Sequence, residues 1–315
     1  KKYILIKLLN GYYNLSKNLL SFLIFNKQKT KNLRNSIFFT NITRANVPID
    51  NYQANNYNLI SWFILNKNIL NTNFNSIHHL VPNSPDLEID GIIISNYKRI
   101  IPSIDNWLVF IKFLKWSIFL VLNSFLDYFK GFWWNCILIN ESISAKRVNL
   151  SNSNQIALSY IFNNSDWIYR PLWTYEAESK GAEIVFYFYS TNCEPFKTTQ
   201  DNPAIYRGYA AMNWPKYLVW DVHHSNFIKR TVSNKPQIDI VGPIWNQDSN
   251  ITIDLPNSIP AIAVFDVQPV RSSFYQKLAL YPEYYIPANA IARARMDGSA
   301  ESGRCGVGVV GTATA

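Results

Sequence analysis

Residues Asp166–Asn192 read DWIYRPLWTYEAESKGAEIVFYFYSTN, and three related runs follow: MNWPKYLVWDVHH (Met212–His224), IDIVGPIW (Ile238–Trp245) and AIAVFDVQPVRSSFYQ (Ala261–Gln276). The first predicts a helix through Glu176 to Lys180, closed by Gly181, and a strand from Glu183 to Tyr189. Glycine just past a helix, with an aromatic and β-branched run behind it, is the expected helix-to-strand punctuation. EIVFYFYS is apolar almost throughout, as a strand covered on both faces should be. Small polar residues follow it (Ser190, Thr191, Asn192), and Asp221, His223 and His224 follow the strand YLVW. Open α/β sheets hold their ligands at such carboxyl ends. Strand, polar rim and helix in repetition argue for parallel α/β layers.

Upstream, QIALSYIF from Gln155 reads as a further helix, and the short apolar run Gly91–Ser95 as a strand after a Pro-rich loop that holds His78 and His79. Leu15, Leu19, Leu20 and Leu23 recur at helical spacing, so the first 45 residues carry a helix with one apolar face, followed by a basic stretch. Residues 46–75 are rich in Asn and Tyr around SWFIL and suit helices and loops of an α/β domain. Trp107–Ile139 is the most apolar stretch. Lys112, Lys115, Asp127 and Lys130 interrupt it, so it falls short of the uninterrupted run a spanning helix wants. Its lysines and tryptophans suit a helix lying in a membrane interface. A buried helix pair is the equal alternative.

Composition narrows the function classes. At 315 residues, 48% hydrophobic and 15% aromatic, the chain holds one large or two ordinary packed domains. The net charge of +9 is spread through Asn-, Ile- and Leu-rich sequence without a dense basic block. That disfavours nucleic acid and suits an anionic lipid surface or an anionic sugar nucleotide. Cys136, Cys193 and Cys305 are far apart, which argues against a disulfide framework or a zinc site and for a reducing, cytoplasmic compartment. No GxGxxG or GxxxxGK[ST] occurs. At the AIAVFD strand end, Ser272 or Ser273 can cap a helix whose amides favour phosphate, with Arg271 beside it to hold phosphate oxygens.

In order, RPLWTYEAESKGAEIVFYFYSTNCEPF, MNWPKYLVWDVHH, IDIVGPIW and AIAVFDVQPVRSSFYQKL resemble the PFTS-motif proteins of surface-polysaccharide biosynthesis, over roughly residues 155–290. Those proteins are similar to two-domain GT-B glycosyltransferases. PFKT at Pro195–Thr198 is not the family tetrapeptide, which is expected further along the second domain. The resemblance implies an α/β fold of two Rossmann-like domains, the second truncated. It places an acceptor-side domain at 1–236, the start of a nucleotide-sugar domain at 237–290, entered through the VGP turn, and a non-native or disordered tail at 291–315. In that tail the aromatic residues cease and Gly, Ala, Arg and Ser take over. Because the chain opens at Lys1 rather than Met and changes character after Ala290, a fragment lacking activity is the expectation.

The chemistry implied is displacement at an anomeric carbon, with neither metal nor tightly bound cofactor. A sugar passes from a nucleotide-activated donor to a glycan or lipid-linked acceptor, at the inner face of the plasma membrane. Base candidates are Glu176 and Glu178, in a Trp/Tyr-rich helix, and His223, with its near-neutral imidazole. Equally, the glutamates face water or complement a helix end, and the histidines are ordinary loop residues. Asn192, His224, Trp245, Asp266, Arg271, Ser272 and Ser273 are the substrate-binding candidates. Asp266 and Arg271 otherwise form an ion pair fixing the turn, and Trp245 otherwise packs in the core. A non-catalytic membrane-associated scaffold of envelope polysaccharide assembly remains the alternative, since it needs apolar helices and basic charge but no ordered acid/base set.

Overall fold

The computed structural model describes residues 2–25, 32–48, 58–66, 73–163, 169–188 and 209–243, and two short strands at 261–263 and 309–311. The chain divides into two compact units, Lys1–Gln247 and Asp248–Ala315.

Eight strands form the sheet of the first unit: β1 (Ser36–Phe39), β2 (Ser76–His79), β3 (Leu87–Ile89), β4 (Ile92–Asn96), β5 (Ser159–Asn163), β6 (Glu183–Phe188), β7 (Lys216–Val219) and β8 (Gln237–Ile240). Their spatial order is β3-β4-β2-β1-β5-β6-β7-β8. Every neighbouring pair is parallel except β3 and β4. That exception is a hairpin whose central Asp90 and Gly91 have φ of 52° and 74°, the pair of positive angles a tight two-residue turn requires. Without the hairpin strand, the order is that of a doubly wound dinucleotide-type sheet, in which the chain starts at the middle and winds outward in both directions.

Both faces are covered, which is why the strands read as unbroken apolar runs. On one face Ile37, Phe39, Ile161, Val185 and Tyr187 pack under α2 (Leu59–Leu65). On the other, Phe38, Tyr160, Phe162, Phe186 and Trp214 pack under α5 (Ile139–Leu150), α6 (Leu172–Ser179) and α7 (Val222–Thr231). Trp214 lies 4.7 Å from the rings of both Phe162 and Phe186 and is wholly buried. Large aromatic contacts of this kind concentrate core stabilisation in a few side chains.

Outside α5 lies a helical layer made of α1 (Lys2–Phe25), α3 (Trp107–Lys130) and α4 (Trp133–Ile137). Its own core is Ile4, Leu8, Leu15, Phe113, Cys136, Ile139 and Ile143. Gly11 allows the close approach of α1 to α5: a Cβ there would meet Ile139 Cγ2 at 2.6 Å. Arg147 on α5, half-buried, donates to the Ile101 and Pro102 carbonyls and to Asn18 Oδ1 on α1. Burial pulls its pKa down to about 10, which leaves it charged at neutral pH. The Cys136 thiol is fully buried and donates to the Ser124 carbonyl, and burial raises its pKa.

Several expectations are corrected. The segment from Gln155 is a short 3-10 turn and then strand β5, rather than a helix, because Ser159–Asn163 is held between β1 and β6 at the centre of the sheet. His78 and His79 are not loop residues but the end of buried strand β2. Strand β8 pairs in parallel with β7 and belongs to the first sheet, so the expected boundary at 236/237 falls within a unit that runs to Gln247. In the second unit, Ala261–Ala263 (β9) pairs antiparallel with Val309–Gly311 (β10), a two-stranded arrangement where parallel layering was expected. Finally, α3 is not half of a buried pair, since Phe110, Phe113, Ser117 and Ser124 are its buried residues.

Candidate functional site at the carboxyl edge of the sheet

In a doubly wound sheet the strand order reverses direction at one place, and there the two crossover connections leave on opposite faces and open a crevice. Here that place lies between β1 and β5, from which the chain winds to β2 on one side and β6 on the other. Asn163 at the end of β5 bridges the reversal, its side-chain amide donating to the carbonyls of Thr40 and Asn41. The Thr40 hydroxyl in turn donates to the Ile161 carbonyl. Asn41 adopts φ 55°, a left-handed conformation that asparagine tolerates better than most residues. The turn it makes lifts the chain out of the sheet plane and into a 3-10 turn at Arg44–Asn46.

Beside it opens a hollow of about 420 Å³, lined by Asn41, Ile42, Thr43, Arg44, Leu80, Val81 and Pro82. Its size is within the range of small-molecule sites. Arg44 is exposed and donates to the Ser84 hydroxyl at 2.6 Å, which aims one edge of the guanidinium and leaves further N–H groups toward solvent. Under this wall, His79 is wholly buried and its Nδ1 accepts from the Val81 N–H. Burial, reinforced by the Arg44 charge and opposed by Asp86, lowers its pKa to about 4. It is therefore neutral across the physiological range, and Arg44 is the charged residue among those that line the hollow.

Further along the same rim, Asp221 follows β7 and caps α7, its carboxylate accepting from the His224 N–H at 2.8 Å. That bond holds the Asp221 pKa below its ordinary value, and the two histidines assist. His223, in the first turn of α7, points to the exposed side. His224 is buried edge-on to Phe188, and its Nδ1 finds no partner among the described residues. Trp220 donates its indole N–H to the Tyr187 hydroxyl at 2.6 Å, tying the end of β7 to β6.

Glu176 and Glu178 lie elsewhere. α6 runs from the carboxyl end of β5 back to the start of β6, so its second half sits toward the opposite rim. Glu176 accepts from the Asn149 side chain of α5, and Glu178 pairs with the buried Arg170, which also bonds Thr174 and lies over the Tyr175 ring. Both glutamates thus join structural elements. Asn192, Trp245, Asp266, Arg271, Ser272 and Ser273 lie outside the described residues. Among the sequence candidates, the structure brings His223 and His224 together with Asp221 at the carboxyl rim and separates them from the two glutamates. Asn41, Arg44, His79 and Asn163 were not legible as a site. The faint signal was the Thr-Asn pair closing IFFTN, a polar strand end like the others.

Residues 104–294 match the profile of the polysaccharide biosynthesis PFTS motif proteins. The chain belongs to this family. The match covers more than half the chain and takes in β5 to β8, the helical layer from α3 onward and α7. No curated protein and no solved structure matches the chain. Membership ties this PFTS motif protein to the making of polysaccharide, and the carboxyl-edge crevice offers room for a ligand among its described residues.

Proposed function

We propose that this PFTS motif protein is a GT-B-like glycosyltransferase of surface-polysaccharide synthesis, with the first unit as its acceptor side. The observation that carries the reading is the hollow beside the strand reversal, between the carboxyl ends of β1 and β2, on the rim that also presents His223. Arg44, Asn41 and Thr43 offer donors and acceptors suited to sugar hydroxyls or to an anionic acceptor group. His223 is three strands further along, about 14 Å at the usual strand spacing, which is more than one sugar ring. An extended glycan or lipid-linked acceptor laid along the rim spans that distance.

In the reaction, the acceptor hydroxyl oxygen forms a bond to the anomeric carbon. The bond from that carbon to the donor's phosphate oxygen breaks, and its electron pair leaves with the nucleotide. The imidazole of His223 takes the hydroxyl proton. Its rim position, exposed and beside the Asp221 carboxylate, suits a group that must exchange that proton with water afterwards. The donor phosphates are assigned to the segment carrying Arg271, Ser272 and Ser273. Glu176 and Glu178 hold α6 in place in this reading.

The test is release of free nucleotide from a panel of activated sugars in the presence of polysaccharide or lipid-linked acceptors. Turnover is expected from a version that carries a complete nucleotide-sugar domain, falling by about 10²-fold or more in His223→Asn, with a raised acceptor KM in Arg44→Ala. No turnover with any donor and acceptor pair would favour the non-catalytic scaffold.

A further inference from the structure

Long apolar faces on soluble domains are normally covered. Here α3 turns outward Leu108, Ile111, Ile118, Leu122, Phe125 and Phe129, at alternating spacings of three, four and seven residues, so all lie on one stripe. Leu108 is 74% exposed and Phe129 70%. The stripe continues past the Gly131 cap to Trp134, 76% exposed, and α1 adds Ile6, Leu9, Tyr13, Leu20 and Leu23. By length and composition, α3 alone among the described helices could cross a membrane.

Charge identifies what covers this face. The three helices carry Lys2, Lys7, Lys17, Lys112, Lys115 and Lys130, and Asp127 is their one acidic residue. None of these lysines has an ion-pair partner among the described residues, whereas Asp127 accepts from Asn135. A second copy docking by the same face would set lysines against lysines. An anionic bilayer surface complements both the apolar stripe and the charge, with lysine stems lying along the acyl boundary and their ammonium groups at the phosphates. Trp107, Trp133 and Trp134 are exposed, and beside a helix that lies in the interface they sit at the depth that indoles favour.

We infer that α1, α3 and α4 form a docking face for anionic phospholipid, with α3 lying in the plane of the membrane. The inner side of α3 decides for lying over crossing. Phe113 is buried in the layer, and Ser124 bonds the Tyr12 hydroxyl of α1. Behind them α5 carries Asn140, Glu141, Lys146 and Arg147, and Asn140 and Arg147 bond Asn14 and Asn18 of α1. A crossing α3 would draw these polar groups into hydrocarbon, where each unmet one is expensive. The inference is independent of any sugar-transfer activity.

The full chain, diluted from detergent into vesicles, is expected to float with phosphatidylcholine/phosphatidylglycerol vesicles at low salt and to be released by high salt or alkaline carbonate. Pure phosphatidylcholine should retain much less. Lys112→Glu/Lys115→Glu should weaken the anionic-vesicle partition more than about tenfold, since each basic group at such a surface contributes about fivefold. Phe125→Glu, at an exposed position, should abolish flotation with its thermal melt unchanged. A chain that stays at the bottom of the gradient, or floats equally well as Phe125→Glu, overturns the inference. So does retention after carbonate, which would mean crossing, and so does self-association that Phe125→Glu abolishes in a chain that never floats.

Discussion

His79 shows how one buried imidazole sets a pH limit on the rim. In the unfolded chain it takes a proton near 6.5, whereas in the fold burial and Arg44 delay that to about pH 4. The unfolded state therefore binds more protons between these values, and the fold loses stability as the pH falls through them, by at most about 1.4 kcal/mol per pH unit. His79→Asn keeps an acceptor for the Val81 N–H but cannot titrate. Urea midpoints measured from pH 7 to 4 should fall less steeply in the variant than in the parent, and equal slopes would refute the assignment. The same residue explains why the site was hard to read from sequence. A histidine pair before a Pro-rich loop carries no mark of burial, which here comes from β1 and β4 on either side of β2.

At the scale of elements, legibility followed coverage. β6 and β7 are apolar on both faces and announced themselves, as did the helix ending at Gly181. Gln155–Leu158 contains good helix formers, and only the neighbouring strands make Ser159–Asn163 extended. Tertiary context overrode local preference there. β1 went unseen because four residues between polar stretches give no periodicity to follow. Without β1 the strand reversal, and with it the crevice, had no location. The contact of α1 with α5 was equally invisible, since it depends on a missing side chain. Gly11→Ala should push Ile139 and cost about 1–3 kcal/mol by overpacking, read as a lowered melting temperature, and shortening the partner with Ile139→Ala should recover part of it. A lone Gly11→Ala with an unchanged melt would mean that the helices separate freely.

For the whole molecule, the sheet with its two covered faces and the helical layer make a unit that ends at Gln247. Residues 1–247 expressed alone should give a single cooperative melt with the far-ultraviolet dichroism of a helix-rich α/β protein. A broad, non-cooperative melt would show that the remaining chain is needed to complete the core. Within this unit Cys136 occupies a peculiar station. Its sulfur is sealed between α1, α3 and α5, and its proton is held tightly. Neither an oxidising nor a reducing milieu reaches it while the helices stay together. Any alkylating reagent that marks Cys136 has therefore recorded a moment of parting, so the pace of its marking is a clock for how often the outer helices lift from the body of the protein.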